Sequence, residues 1–297
     1  EFSRLQGTVY LDHAGAALYS ETQLAAALEE LSGCLAGNPH SQHERLLGGT
    51  PSDVWVRDAT LNMCNARAGE YECVLTSGAT AGLRLLAEAF PWASGSRFWY
   101  TQDNHNSVLG IREEAAAWGA EAAAVSVEYS ADGGGWRATP FGQTIRRPTV
   151  AQPPPHHCSP AAPSPPSLFA FPQESNFSGA QYNLDIIRQL REGGGFPSNC
   201  GEDGGSRWFC LLDSAKACSA CPPDLSRHSP DFVVLSFYKI FGFPTGIGAL
   251  LIHKRAAPLL RRRYFGGGTV EAVAAEADVL RRRRGAAGFE DGTPNFL

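Results

Sequence analysis

The chain has 297 residues, 43% of them hydrophobic and 19% charged, which is ample for one large globular domain with a real core. A net charge of −5 gives no global attraction for nucleic acid, and the arginine runs at 261–263 and 281–284 read as solvated faces of helix-like segments. No apolar run approaches the roughly 20 residues that span a bilayer and no signal-peptide pattern opens the chain, so a soluble, cytoplasmic protein is expected, with its eight scattered cysteines kept as thiols.

In chain order, residues 9–17 read as a short strand running into a Gly/Ala turn, and a helix follows from about Thr22 to Leu35. Asn38-Pro39 is a turn signal, and its neighbours His40 and His43 are, read alone, ordinary loop residues. Residues 71–76 read as a strand. Ser77-Gly78-Ala79-Thr80 then turns into a helix whose Leu83, Leu86 and Phe90 recur at spacings of three and four. Such a turn offers free backbone N–H groups and the positive end of a helix to an anion, although a plain capped helix start has the same four residues. The strand at 97–101 ends in Gln102-Asp103-Asn104-His105, ahead of a helix carrying Ile111 and Arg112. His105 therefore falls at a strand's C-terminal end, the edge where open α/β sheets bind ligands. From 133 to 166 the pattern breaks. The proline-rich part, about 145–166, lacks the amide donors a sheet position requires and is expected to be a mobile insertion; His156, His157 and Cys158 belong to it and not to a metal site.

Strands resume at 167–171, with Asn176 just beyond, and a helix with Leu184, Ile187 and Leu190 inward comes next. The strand at 207–212 ends in Asp213-Ser214-Ala215-Lys216, where the aspartate is either a helix cap or the partner of a buried cation. Cys218 and Cys221 have CxxC spacing but no second pair and no nearby histidines, which argues against zinc. Residues 231–235 form a short apolar strand that stops at Ser236-Phe237-Tyr238-Lys239-Ile240-Phe241-Gly242. A lone lysine at the end of a buried strand is either a surface charge or a staged amine, since burial disfavours the ammonium form. A strand at 248–252, a helix at 256–263 and a Gly-rich loop from Tyr264 to Val270 complete the reading.

The stretch from Ser236 to Gly248, with Tyr238 ahead of Lys239, resembles the lysine segment of the class-V aminotransferase group that includes the cysteine desulfurases, and is most similar to its molybdenum cofactor sulfurase branch. Ser175-Asn176-Phe177-Ser178-Gly179 favours the same branch, and residues 37–43 resemble a loop that the family places near its active site. The resemblance implies an α/β fold of the pyridoxal-phosphate (PLP) fold type I, a large domain with a mostly parallel mixed sheet flanked by helices. It divides the chain into an N-terminal segment with an active-site loop, 1–70, and a PLP-binding large domain, 71–297.

Residue by residue, the resemblance implies that Lys239 links to PLP, that Ala79 and Thr80 contact its phosphate, that His105 stacks on its ring, and that Asn176 bonds its 3′-oxygen. Asp213 would keep the pyridine nitrogen protonated, making the ring an electron sink. Ser236 and Tyr238 are further cofactor-binding candidates, and Thr269 would reach the phosphate of a neighbouring subunit, which requires a homodimer. No metal is expected. The activity implied is desulfuration of L-cysteine through an enzyme persulfide, with the sulfur passed to the molybdenum cofactor of xanthine dehydrogenase and aldehyde oxidase by a C-terminal domain that this chain lacks. Both ends look cut, and the family's acceptor cysteine and carboxylate-binding arginine are expected beyond residue 297, so this polypeptide alone is expected to turn over poorly. Lys216 departs from the glutamine usual in other desulfurases. A general cysteine desulfurase or selenocysteine lyase, and a non-catalytic fragment, are the alternatives.

Overall fold

The computed structural model describes residues 1–33, 52–130, 135–141, 165–193, 196, 207–293 and 295. Two helices, α1 (Glu21–Gly33) and α2 (Ser52–Met63), precede an eight-stranded sheet. Its members are β1 (Tyr71–Thr76), β2 (Arg97–Thr101), β3 (Glu121–Ser130), β4 (Gly135–Pro140), β5 (Ser167–Pro172), β6 (Trp208–Asp213), β7 (Phe232–Ser236) and β8 (Gly248–His253). Between them lie α3 (Ala79–Ala89), α4 (Asn106–Leu109), α5 (Ile111–Ala117), α6 (Asp185–Arg191) and the short lysine-bearing α7 (Phe237–Phe241). The strand order is β1-β8-β7-β6-β5-β2-β3-β4.

The pairs β3·β2, β2·β5, β5·β6 and β6·β7 are parallel, whereas β7·β8, β8·β1 and β3·β4 are antiparallel. Six strands therefore run one way and only β8 and β4 run back. This is the mixed, mostly parallel sheet expected from the strand–helix alternation.

Every residue of β5 and of β7 is buried, as a strand covered on both faces demands. The period-two alternation sorts their side chains. Phe169, Phe171, Leu212, Val233 and Leu235 share one apolar cluster with Ile186, Ile187 and Leu190 of α6, against which Val56 and Leu61 of α2 pack. Phe98, Leu168, Leu211, Phe232 and Val234 face the other way and share a second cluster with Leu83 and Leu86 of α3 and Ile111 of α5. With apolar matter on both faces, only the strand ends are left to carry polar chemistry.

Four expectations fail locally. Residues 9–17 form no strand: Val9 and Leu11 are 79% and 84% exposed, and the Tyr10 hydroxyl instead closes a turn by donating to the carbonyls of Asp12 and Ala16. The helix expected at 256–263 is a single 3-10 turn, Ala257–Leu259, because the Arg261 amide donates to the Ala89 carbonyl at the end of α3 instead of continuing a helix. The arginines at 281 and 282 lie in a two-stranded ribbon, β9 (Val270–Val273) with β10 (Leu280–Arg282), and not on a helix. There Arg281 pairs with Glu271 across the ribbon at 2.6 Å, while Arg282 donates to the carbonyls of Arg262, Arg263 and Tyr264. Finally, the break in pattern after residue 133 hides β4, which pairs with β3 as an edge hairpin. The loop at 37–43 and residues 142–164 of the proline-rich stretch lie outside the described residues.

Gly248 is where β8 meets the turn after β1. A Cβ placed there would lie 2.6 Å from the Leu235 carbonyl oxygen and 2.7 Å from the Gly78 Cα, both backbone atoms that cannot swing aside. Gly248→Ala is expected to cost about 1–3 kcal/mol through this overpacking, measured by urea denaturation, and to displace the Gly78 turn.

Candidate active site at the strand ends

The C-terminal ends of β1, β2, β5, β6 and β7 open on one edge of the sheet, and one cavity collects the residues that follow them. It is lined by Ser77, Gly78, Ala79, Thr80, Leu83, His105, Ser107, Pro172, Glu174, Asn176, Asp213, Ala215, Lys216, Ser236, Tyr238 and Lys239. Eight of the nine site residues expected from sequence therefore lie together. Thr269 does not: it is fully buried in its own turn, its hydroxyl donating to the Gly266 carbonyl at 2.8 Å and accepting from the Gly266 amide.

Each wall is set by backbone chemistry. After β1 the chain turns at Gly78, whose φ of +130° is open to glycine and strained for other residues, and enters α3 with no side-chain cap. The first N–H groups of that helix are thus left to whatever occupies the cavity. After β2, the buried Asn104 carboxamide donates to the Thr101 carbonyl and hydroxyl, both at 3.0 Å, and to the Ala170 carbonyl of β5 at 3.1 Å. That bond across two strands fixes His105 next to it. His105 Nδ1 accepts from the Ser107 amide at 3.1 Å, so its neutral ring carries the proton on Nε2. Ser107 also meets the Thr80 hydroxyl at 2.9 Å, joining the first two turns.

β5, β6 and β7 are sheet neighbours, and their ends deliver Asn176, Asp213 and Lys239 side by side. The Gln173 amide donates to the Asp213 carbonyl at 2.8 Å and the Ser214 amide to the Val234 carbonyl at 3.1 Å, carrying the register past the last ladder bonds. Lys239 Nζ donates to Asn176 Oδ1 at 2.6 Å. Behind α7 the chain leaves through Gly242, at φ +76°, and a Cβ there would sit 2.6 Å from the Ala17 carbonyl oxygen and the Tyr19 amide. The Ala17 amide donates to the Tyr238 carbonyl, and Gln23 Nε2 donates to the carbonyls of Phe241 and Phe243. The N-terminal segment thereby braces the lysine turn from outside.

The charges at the centre are set against one another. Burial pushes the Asp213 carboxyl above its ordinary range, opposed first by the Ala215 amide donating at 3.0 Å to its Oδ1 and then by the nearby His105 and Lys239 side chains. Burial likewise lowers the Lys239 ammonium, opposed by Asp213, reinforced by Lys216 and opposed again by Asp12. The half-buried amine is thus brought closer to its neutral, nucleophilic form. Ser236 Oγ, also in the wall, is buried with no hydrogen-bond partner among the described residues. A desolvated, unpaired hydroxyl facing a cavity is what a polar ligand would satisfy.

Sequence reasoning did not reach Glu174, Ser107 or Asp12, and noted Lys216 only as a departure. Lys216 Nζ meets Glu174 Oε1 at 3.0 Å inside the cavity wall. Its position three residues after Asp213, at the same strand end, is the signal that finds it.

The aminotransferase class-V family matches residues 206–297. Molybdenum cofactor sulfurases from tomato (Solanum lycopersicum) and Homo sapiens are each 44% identical over the whole chain, which covers 37% and 32% of their own lengths. The chain thus spans about a third of the length of these relatives. A cysteine desulfurase from Escherichia coli has a TM-score of 0.68 at 21% identity, covering 97% of this chain and 64% of that one. A protein solved with glycine covalently linked to its PLP cofactor has a TM-score of 0.69 at 18% identity, covering 99% of this chain and 69% of that one. At such identities these two carry the fold alone, and it is the fold described above. Residues 206–297 thus resemble the class-V aminotransferases, and the chain along its whole length is similar to part of the molybdenum cofactor sulfurases.

Proposed function

We propose that this chain is the PLP-binding, cysteine-desulfurating part of a molybdenum cofactor sulfurase. The observation that carries the reading is the row formed by Asn176, Asp213 and Lys239 on three adjacent strand ends, facing an uncapped helix start across one cavity. The residues fit the cofactor. The Gly78-Ala79-Thr80 turn and the unpaired Ser236 hydroxyl suit a phosphate, the buried Asp213 suits a protonated pyridine nitrogen, His105 suits a ring face, and the Lys239 amine suits an aldehyde carbon. Bound there, PLP would supply an electron sink for carbanion chemistry on an amino acid.

The protein's own residues divide the remaining work. Asn176 is a neutral acceptor, so it positions Lys239 without holding the ammonium charge as a carboxylate would. Asp213 supplies the fixed negative charge that a cationic ring nitrogen requires. His105, with its proton placed on Nε2 by the Ser107 contact, can hold or pass a proton at that atom. Among the described residues no cysteine lines the cavity, so the sulfur-accepting thiol is not assigned to Cys64, Cys73, Cys210, Cys218 or Cys221.

The same reading takes residues 71–297 as the large domain and 1–70 as its N-terminal segment, L-cysteine as sulfur donor and the molybdenum cofactor as acceptor. It places a homodimer in the cytoplasm, with Thr269 serving a neighbouring subunit once its turn opens. None of the described helices is long and apolar enough to cross a membrane.

Two outcomes test the site. Borohydride treatment of protein mixed with PLP is expected to leave a pyridoxyl adduct on the Lys239 peptide, read by mass spectrometry and lost in Lys239→Ala; an adduct elsewhere overturns the assignment. Asp213→Asn is expected to separate binding from stability. The Asp213 carboxyl binds its proton more tightly in the fold than in the unfolded chain, so its contribution is present below the unfolded value of 3.8 and is lost as pH rises through the folded one. Without cofactor, the variant should therefore melt higher than wild type at pH 7, by about 2–4 °C per kcal/mol recovered, and the gap should close toward pH 4. Its affinity for PLP should fall.

A further inference from the structure

The cavity holds two lysines, and the loop after β5 treats them differently. Asn176 presents a neutral oxygen to Lys239 at 2.6 Å, while Glu174, two residues earlier, presents a carboxylate to Lys216 at 3.0 Å. The two acceptors come from one loop and the two amines from the ends of the next two strands, β6 and β7. The Glu174–Lys216 pair is largely withdrawn from solvent, with side-chain exposures of 12% and 21%, so it is screened far less than a surface ion pair. Glu174 is further pinned by an isolated bridge to Gln181.

We propose that Lys216, held in an ion pair by Glu174, is a positioning residue that tunes the neighbouring Lys239 amine and leaves Lys239, and not Lys216, as the nucleophile of the site. The ion pair holds the Lys216 ammonium against Glu174 at 3.0 Å, away from the Lys239–Asn176 contact. The fixed positive charge it leaves in the wall disfavours a second ammonium nearby, which is one established way of activating a lysine. The other groups facing Lys239 are Asp213, which favours its charged form, Asp12 from the N-terminal segment, which does the same more weakly, and His105 and Tyr238 in the wall. Lys216 and burial are the two influences acting in the opposite direction, and only Lys216 can be switched by a substitution that leaves the packing alone. This proposal rests on the reading of Lys239 as the reactive amine.

The test uses the full chain without added cofactor. Trace acetylation with acetic anhydride across a pH series, read by mass spectrometry of the Lys239 and Lys216 peptides, measures how readily each amine loses its proton. In wild type, Lys239 should become reactive at lower pH than Lys216. Lys216→Gln keeps a donor for Glu174 but removes the charge, and should lower Lys239 labelling about threefold at fixed neutral pH, moving its profile upward. Lys216→Arg keeps the charge and should restore the wild-type profile. A merely structural role would give unfolding or no shift, and matched circular dichroism separates these. An unmoved Lys239 profile in folded Lys216→Gln, or Lys216 labelling ahead of Lys239 in wild type, overturns the proposal. If the shift appears but no pyridoxyl adduct forms on Lys239, the tuning stands and the cofactor reading is what fails.

Discussion

Everything at the site depends on three parallel strands ending in register. A parallel ladder spaces its neighbours by roughly 4.8 Å, so β5 and β7, with β6 between them, end close enough for the long Lys239 side chain to reach Asn176. The two bonds from Gln173 and Ser214 extend that register one residue into the loops. Asn176, Asp213 and Lys239 are neighbours because their strands are.

The electrostatics follow from the same arrangement. Strands buried on both faces leave their C-terminal ends poorly solvated, so any ionisable group there is pushed toward neutrality. Asp213 and Lys239 are both shifted that way by burial, and each partly rescues the other's charge. Lys216 is held in an ion pair with Glu174 in the same wall. The cavity is a small set of charges whose states are decided by which partners the loops bring.

Much of this was legible in the sequence. The apolar runs of β5 and β7, and the polar residues that follow them, announced the edge where the cavity lies, and a strand–turn–helix passage announced the Gly78 turn that lines it. What sequence could not show were relations across the sheet. Glu174 and Lys216 are 42 positions apart and look like unrelated surface charges until β5 and β6 pair. Residues 9–17 alternate like a strand, yet they join no sheet among the described residues, and the segment is spent on bracing Gly242. The arginines at 281 and 282 satisfied a helical pattern but found backbone carbonyls and Glu271 in a ribbon. Local propensity was overruled in each case by a partner distant in the chain.

The position of β8 has a consequence for how the molecule is made. It lies between β1 and β7, pairing Tyr71 with His253 and Phe232 with Ile252, so the first strand of the sheet waits for the last. During synthesis β1 leaves the ribosome without a neighbour, and remains without one until some 170 further residues have followed, a length fixed by the Thr76–Gly248 pairing. Pairings this remote in sequence are slow to form. Because β8 also presses Gly248 against Gly78, the turn that opens the cavity acquires its shape in the same late event. The mouth of the cavity is thus completed only once β8 has taken its place between β1 and β7.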